Sequence, residues 1–228
     1  MSTLYAIPSP LGGRAQDALP TSAIETVRGL RDFVVENAKS SRAFLAELKM
    51  PCPIQELRIT EVGKDISSLL APLRAGRSMG LLSEAGCPAI ADPGAMLVDL
   101  AHREGFRVVP LVGPSAIVLA LMASGLEGQR FAFCGYLPRE PTERKRRIRE
   151  LERRSHRERD TEIFIETPYR NDVLIAALLD ACAPSTRLCV ATDLTLPTEN
   201  IATYAISEWR RSVAKPGKKP TVFLLFAD

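Results

Sequence analysis

Three short apolar runs in this 228-residue chain each end in a loop built from glycine and proline. Leu4–Ile7 stops at Pro8–Gly13, Met79–Leu82 at Ser83–Gly94, and Arg107–Leu111 at Gly113–Ala116. Glycine permits backbone conformations that other residues resist, and proline fixes the chain around them. Helical apolar spacing returns after each loop, so the succession is strand, shaped loop, helix. That pattern restricts the fold to an α/β architecture with mostly parallel sheets covered by helices. Open sheets of this kind bind ligands beyond the carboxyl ends of their strands, where these loops fall.

Composition narrows the class further. Hydrophobic content of 46% and charged content of 25% are ordinary for a globular protein. No apolar stretch is long enough to span a membrane, and the amino terminus has no secretory pattern, so a cytoplasmic protein is expected. The cysteines at 52, 87, 134, 182 and 189 lack the spacing of a zinc site, and no metal is expected. The first loop matches neither GxGxxG nor GxxxxGK[ST], which disfavours a dinucleotide fold or a nucleotide triphosphatase.

Helices are expected over Thr21–Leu30, Ser40–Leu48, Lys64–Ala75, Ala95–Glu104, Asn171–Cys182 and Ser207–Val213, with a basic turn at Lys215–Pro220. Further strands are expected at Asp32–Val35, Ile54–Ile59, Phe131–Cys134, Thr161–Ile165, Leu188–Thr192, Ile201–Ile206 and Val222–Phe226. Asp92 is expected to cap the helix after Pro93. From Arg139 to Asp160 the chain carries nine arginines and one lysine among glutamates, with Ile148 and Leu151 nearly its only large apolar residues. This reads as an exposed helix with Glu–Arg pairs, whose arginine excess also suits phosphate.

The loops, in order, resemble the tetrapyrrole-methylase superfamily of S-adenosylmethionine-dependent methyltransferases. The pieces are Leu4–Gly12 (LYAIPSPLG), Ser83–Gly94 (SEAGCPAIADPG), Pro110–Ala116 (PLVGPSA), Ala123–Leu126 (ASGL), Phe131–Arg139 (FAFCGYLPR) and Glu166–Arg170 (ETPYR). Within the superfamily the chain is most similar to the ribosomal RNA small-subunit methyltransferase I family, as a short, divergent member. It has Glu84-Ala-Gly where those proteins usually have Asp-Ala-Gly, and Glu36-Asn-Ala-Lys39 where they have Glu-Asp-Thr-Arg. Leu194-Thr-Leu-Pro197 stands where they have Leu-Thr-Lys.

The resemblance implies two α/β lobes, 1–113 and 114–228, with the cofactor in a cleft between them. Carried over by motif, S-adenosylmethionine would touch Leu11, Gly12, Ser83, Glu84, Ala85, Gly86, Ile90, Ser115 and Ala116. Tyr136, Leu137 and Ile165 would wall its pockets. The resemblance also implies a homodimer and methyl transfer to a ribose 2′-hydroxyl of RNA. A ribose hydroxyl is a poor nucleophile that a nearby base would assist, and Glu36, Glu84 and Glu166, all at strand ends, are the candidates. Glu84 can instead bind loop N–H groups. Lys39 and Arg170 are candidates to hold a substrate phosphate or carboxylate, although Arg170 can also cap a helix or pair with Asp172. A tetrapyrrole or other small metabolite as acceptor, and a cofactor-binding module without catalysis, stand as the alternatives.

Overall fold

A computed structural model describes residues 2–63, 65–211 and 216–228. The expected helix limits Lys64 and Val213, and Lys215 of the basic turn, lie outside them. The chain divides into two compact units, Met1–Ser115 and Ala116–Asp228.

The first unit runs β1 (Thr3–Ile7), α1 (Ala15–Ala18), α2 (Thr21–Arg28), β2 (Asp32–Val35), α3 (Ala38–Glu47), β3 (Arg58–Glu61), α4 (Ala71–Arg74), β4 (Met79–Leu82), α5 (Ala95–Arg103) and β5 (Arg107–Pro110). All pairings in its sheet are parallel, in the order β3-β2-β4-β1-β5. Successive side chains of a strand point to opposite faces, so each strand feeds two cores. Ile7, Phe33, Val35 and Leu82 pack with Val27, Phe44 and Leu45 on one side. Leu4, Val34 and Leu81 pack with Leu70, Leu73 and Leu97 on the other.

Local chemistry moves several boundaries. The helix expected from Ser40 begins at Ala38, because the Asn37 side chain accepts from the amides of Lys39 (2.9 Å) and Ser40 (3.3 Å). Ile54–Glu56 is a 3₁₀ turn rather than strand, and β3 starts only at Arg58, whose guanidinium makes two 2.6 Å hydrogen bonds to the buried Asp32. The helix expected over Lys64–Ala75 is reduced to a 3₁₀ turn at Ser68–Leu70 and the short α4. Pro72 sits in the first turn of α4, where its missing N–H costs nothing, and so starts that helix.

The second unit runs α6 (Ala116–Ser124), β6 (Phe131–Tyr136), α7 (Pro141–Glu158), β7 (Thr161–Glu166), α8 (Asn171–Ala181), β8 (Arg187–Thr192), β9 (Asn200–Ala205), α9 (Ile206–Trp209) and β10 (Thr221–Phe226). Its sheet, ordered β6-β7-β10-β8-β9, is mixed: only β6 and β7 pair in parallel. A short connection joins β8 to β9, and short connections favour antiparallel neighbours. Phe164, Leu188, Phe223 and Leu225 from this sheet meet Ile148 and Leu151 of α7 and Leu174 and Leu178 of α8 in one core.

Candidate functional site

In the first unit the carboxyl ends of β1 and β4 are tied together through their loops. Ser9 and Gly86 exchange backbone hydrogen bonds of 2.8 and 2.9 Å. The Ser9 hydroxyl donates to the Ser83 carbonyl (2.8 Å), and the Ser83 hydroxyl donates to the Gly86 carbonyl (3.1 Å). Gly86 holds φ at 73°, a conformation open to glycine, and the Leu11 side chain lies where a Cβ at Gly86 would make van der Waals contact. The Cys87 thiol donates to the Pro114 carbonyl at 3.4 Å, which joins the third loop to the other two. At Gly113 an added Cβ would stand 2.5 Å from the Pro8 side chain and 2.8 Å from Leu19, so the loops approach as closely as only glycine allows.

The acidic residues gather beside this assembly. The Glu84 amide donates to Glu36 Oε2 at 3.1 Å, and the Ser40 hydroxyl donates to Glu84 Oε1 at 3.1 Å. Asp92 joins them electrostatically. Burial, then the charges of Glu36 and Glu84, push its carboxyl up to about 6. From sequence Asp92 is expected to cap the next helix. Instead α5 starts at Ala95, as the apolar spacing predicts, with Gly94 at its cap position and no side-chain cap bond. Asp92 is thereby left free to perturb its neighbours. The signal available in the sequence was the recurrence of carboxylates at the ends of adjacent strands. Burial, and the field of Asp92, push the Cys87 thiol pKa up.

Of the residues expected at the site, Leu11, Gly12, Glu36, Lys39, Ser83, Glu84, Ala85, Gly86, Ile90 and Ser115 belong to this unit. Lys39 is exposed in the first turn of α3, and Ile90 is exposed on the long loop. The second unit holds Ala116, Tyr136, Leu137, Ile165, Glu166 and Arg170. Tyr136 and Ile165 are register partners across β6 and β7, after a bulge that Gly135 makes. Leu137 is buried next to them in sequence and joins the core of this unit. Glu166, at the end of β7, is nearly fully buried, accepts from the Thr167 amide at 2.8 Å, and pairs with Arg170 at 2.9 Å. Arg170 thus takes Glu166 as its partner rather than Asp172.

No family model matches the chain. Among curated proteins it is 32% identical over 212 residues to the ribosomal RNA small subunit methyltransferase I of Xylella fastidiosa, covering 93% of this chain and 76% of that one. The chain belongs to the ribosomal RNA small subunit methyltransferase I family. The protein of that name from Vibrio cholerae is 31% identical over 205 residues, 90% of this chain and 69% of its own. That from Leptospira biflexa is 28% identical over 222 residues, 97% and 90%. The fold matches the methyltransferase CobJ (TM-score 0.63, 19% identity, 99% of this chain and 93% of that one). It also matches diphthine synthase (TM-score 0.64, 14% identity, 100% and 90%). The architecture is accordingly the tetrapyrrole-methylase fold, and the chain is a methyltransferase whose methyl donor is S-adenosylmethionine.

The loops of the first unit suit that donor chemically. Ala85 is small and exposed, Ile90 offers an exposed apolar side chain, and the carboxylates at 36, 84 and 92 complement a cationic sulfonium and ammonium. When bound, S-adenosylmethionine supplies an electrophilic methyl group. Among the described residues no cluster of histidine, cysteine or carboxylate side chains could hold a metal, and no helix is long and apolar enough to cross a membrane.

Proposed function

We propose that this protein transfers a methyl group from S-adenosylmethionine to a ribose 2′-hydroxyl of small-subunit ribosomal RNA. The observation that carries the reading is sequence identity near 30% with small-subunit methyltransferases, extending over nine-tenths of the chain. In the reaction the sulfonium carbon–sulfur bond breaks as the oxygen–carbon bond forms, and the hydroxyl proton passes to a base. In-line placement of acceptor and methyl supplies much of the rate.

The cofactor contacts in this reading are Leu11, Gly12, Ser83–Gly86, Ile90, Ser115 and Ala116, with Tyr136, Leu137 and Ile165 as walls. The base comes from the Glu36, Glu84 and Asp92 group. Asp92 is favoured because a carboxyl raised to about 6 accepts a proton more readily than an ordinary one. Glu166 serves less well, since its charge is already spent on Arg170 and the Thr167 amide. Lys39, exposed at the start of α3, is free to meet a substrate phosphate, whereas Arg170 reaches one only by leaving Glu166. The protein works in the cytoplasm, where its RNA is found, as a homodimer.

Labelled S-adenosylmethionine and small-subunit RNA lacking the modification form the test. Label should enter the RNA, and the phosphodiester next to the modified ribose should resist alkali, because that cleavage needs a free 2′-hydroxyl. Label entering a base, or no label in any ribosomal RNA, refutes the proposal. Transfer to a tetrapyrrole in place of RNA would favour the metabolite alternative.

A further inference from the structure

The arginines of α7 separate into two sets. Eight cationic side chains face four glutamates along its 18 residues. One set is structural. Arg144 is buried and donates to the Arg139 carbonyl at 3.1 Å, and Arg154 pairs with Glu162, which is wholly buried. Arg144 lies with Ile148, Leu151 and Ser155 on the inward side of the helix. The other set lies on the outward side. Pro141, Thr142, Lys145, Arg146, Arg149, Glu150 and Arg153 line a shallow open groove of about 580 Å³ along the helix.

Within that groove the charges are unequally used. Lys145 pairs with Asp180 (2.6 Å) and Arg146 with Glu143 (2.5 Å), while Glu150 accepts from Arg147 at 3.3 Å. Arg149 and Arg153 make no ion pair and no hydrogen bond among the described residues. They stand four residues apart, one above the other on the helix. From Thr142 to Arg153 the groove runs about 16 Å at 1.5 Å per residue. A guanidinium offers a planar fork that fits phosphate oxygens, and one held by no close ion pair, with Arg149 only in the longer-range field of Asp180, gives up little to take one.

We propose that this outward face of α7 binds the phosphodiester backbone of the RNA substrate, with Arg149 and Arg153 as the principal contacts. The inference rests on the RNA reading of the function. It adds a surface formed by one helix of the second unit. Contacts to phosphates position a nucleic acid without reading its sequence, so the face serves affinity and register and leaves recognition of the target nucleotide to other residues.

The test compares the wild-type protein, Arg149→Gln/Arg153→Gln, and a charge-matched control, Arg103→Gln/Arg107→Gln. Each is titrated with a small-subunit RNA fragment at several salt concentrations. Methylation of that RNA by the wild type is measured separately. Loss of two phosphate contacts should make the plot of log K against log salt shallower by about 1.4 and weaken binding about tenfold at 0.1 M salt. The control should keep the wild-type slope. Calorimetric S-adenosylmethionine affinity should be equal in all three proteins. RNA that binds and is methylated, with a double variant indistinguishable from wild type, overturns the role of the α7 face and leaves the function intact. RNA that binds through α7 but is never methylated supports the face while the functional reading fails. Equal weakening in the control overturns the face. A wild-type protein that ignores RNA but binds polyglutamate also overturns it, and marks the groove as a site for acidic protein.

Discussion

Asp92→Asn should remove a pH-dependent penalty built into the first unit. The carboxyl of Asp92 is part-buried beside Glu36 and Glu84, with Cys87 also within its field. It holds its proton up to about 6, where an ordinary aspartate releases it at about pH 4. Below pH 3.8 both folded and unfolded chains are protonated at this group, and its contribution is nil. Between 3.8 and 6 the folded state keeps a proton that the unfolded state has released, so stability falls as pH rises. Above about 6 the loss is complete. At about 1.4 kcal/mol per tenfold change in proton affinity, the ceiling is about 3 kcal/mol. Solvent reaching the carboxyl reduces this to about 1–2 kcal/mol. Asparagine cannot titrate, so the stability of the variant relative to wild type should rise by that amount between pH 4 and pH 7. Urea denaturation followed by far-UV circular dichroism across this range measures the difference directly. A constant offset at every pH would show that Asp92 titrates normally and that the three carboxylates are not coupled. Glu84→Gln in the wild-type background should flatten the same curve partway.

Four further outcomes follow from other parts of the molecule. If Asp92 is the base, kcat/KM for RNA methylation should climb through pH 6 in the wild type, and Asp92→Asn should lower kcat at least 10²-fold and abolish that limb; a pH–rate profile decides it. Asp32 is held below the usual carboxylate range, first by its hydrogen bonds to Arg58 despite the cost of burial, then by Arg77. Its stabilisation is present above the ordinary carboxylate pKa and lost as pH falls, so Asp32→Asn should cost about 2 kcal/mol at pH 7 and much less at pH 3 in denaturant titrations. Gly113→Ala should destabilise by about 1–3 kcal/mol, because the new methyl overlaps Pro8 and Leu19; calorimetric melting shows it. Arg154→Ala strands the buried Glu162 and should cost about 3–5 kcal/mol, read by fluorescence of Trp209, the chain's only tryptophan, in the core of the same unit.

Strand, loop and helix order was readable because it is local. Runs such as Met79–Leu82 and Arg107–Pro110 carry their own β character, and the glycine–proline loops mark where each ends. Sheet order and direction were not. Nothing in Thr221–Phe226 says that this strand lies antiparallel between β7 and β8, since that depends on which partners remain unpaired after the rest has packed. The charge run of α7 was legible as an exposed helix, yet the division of its arginines into structural and free ones depends on burial. Arg144 and Arg149 differ only in the side of the helix they occupy. At the site, the loop residues were recognisable as motifs. The place of Asp92 was not, because an aspartate before Pro93 is an ordinary cap until the helix is seen to start beyond it.

The position of β10 in its sheet has a consequence for synthesis. The first unit is finished once Ser115 has left the ribosome, whereas the second keeps a gap between β7 and β8 until Phe226 emerges. Counted from the emergence of Thr192 at the end of β8, at about 5–20 residues per second that gap stays open for roughly 2–7 s. Throughout the interval β7 and β8 expose unpaired edges to solvent and to neighbouring nascent chains. A chaperone requirement, or aggregation of stalled chains, should therefore map to the second unit and not to the first.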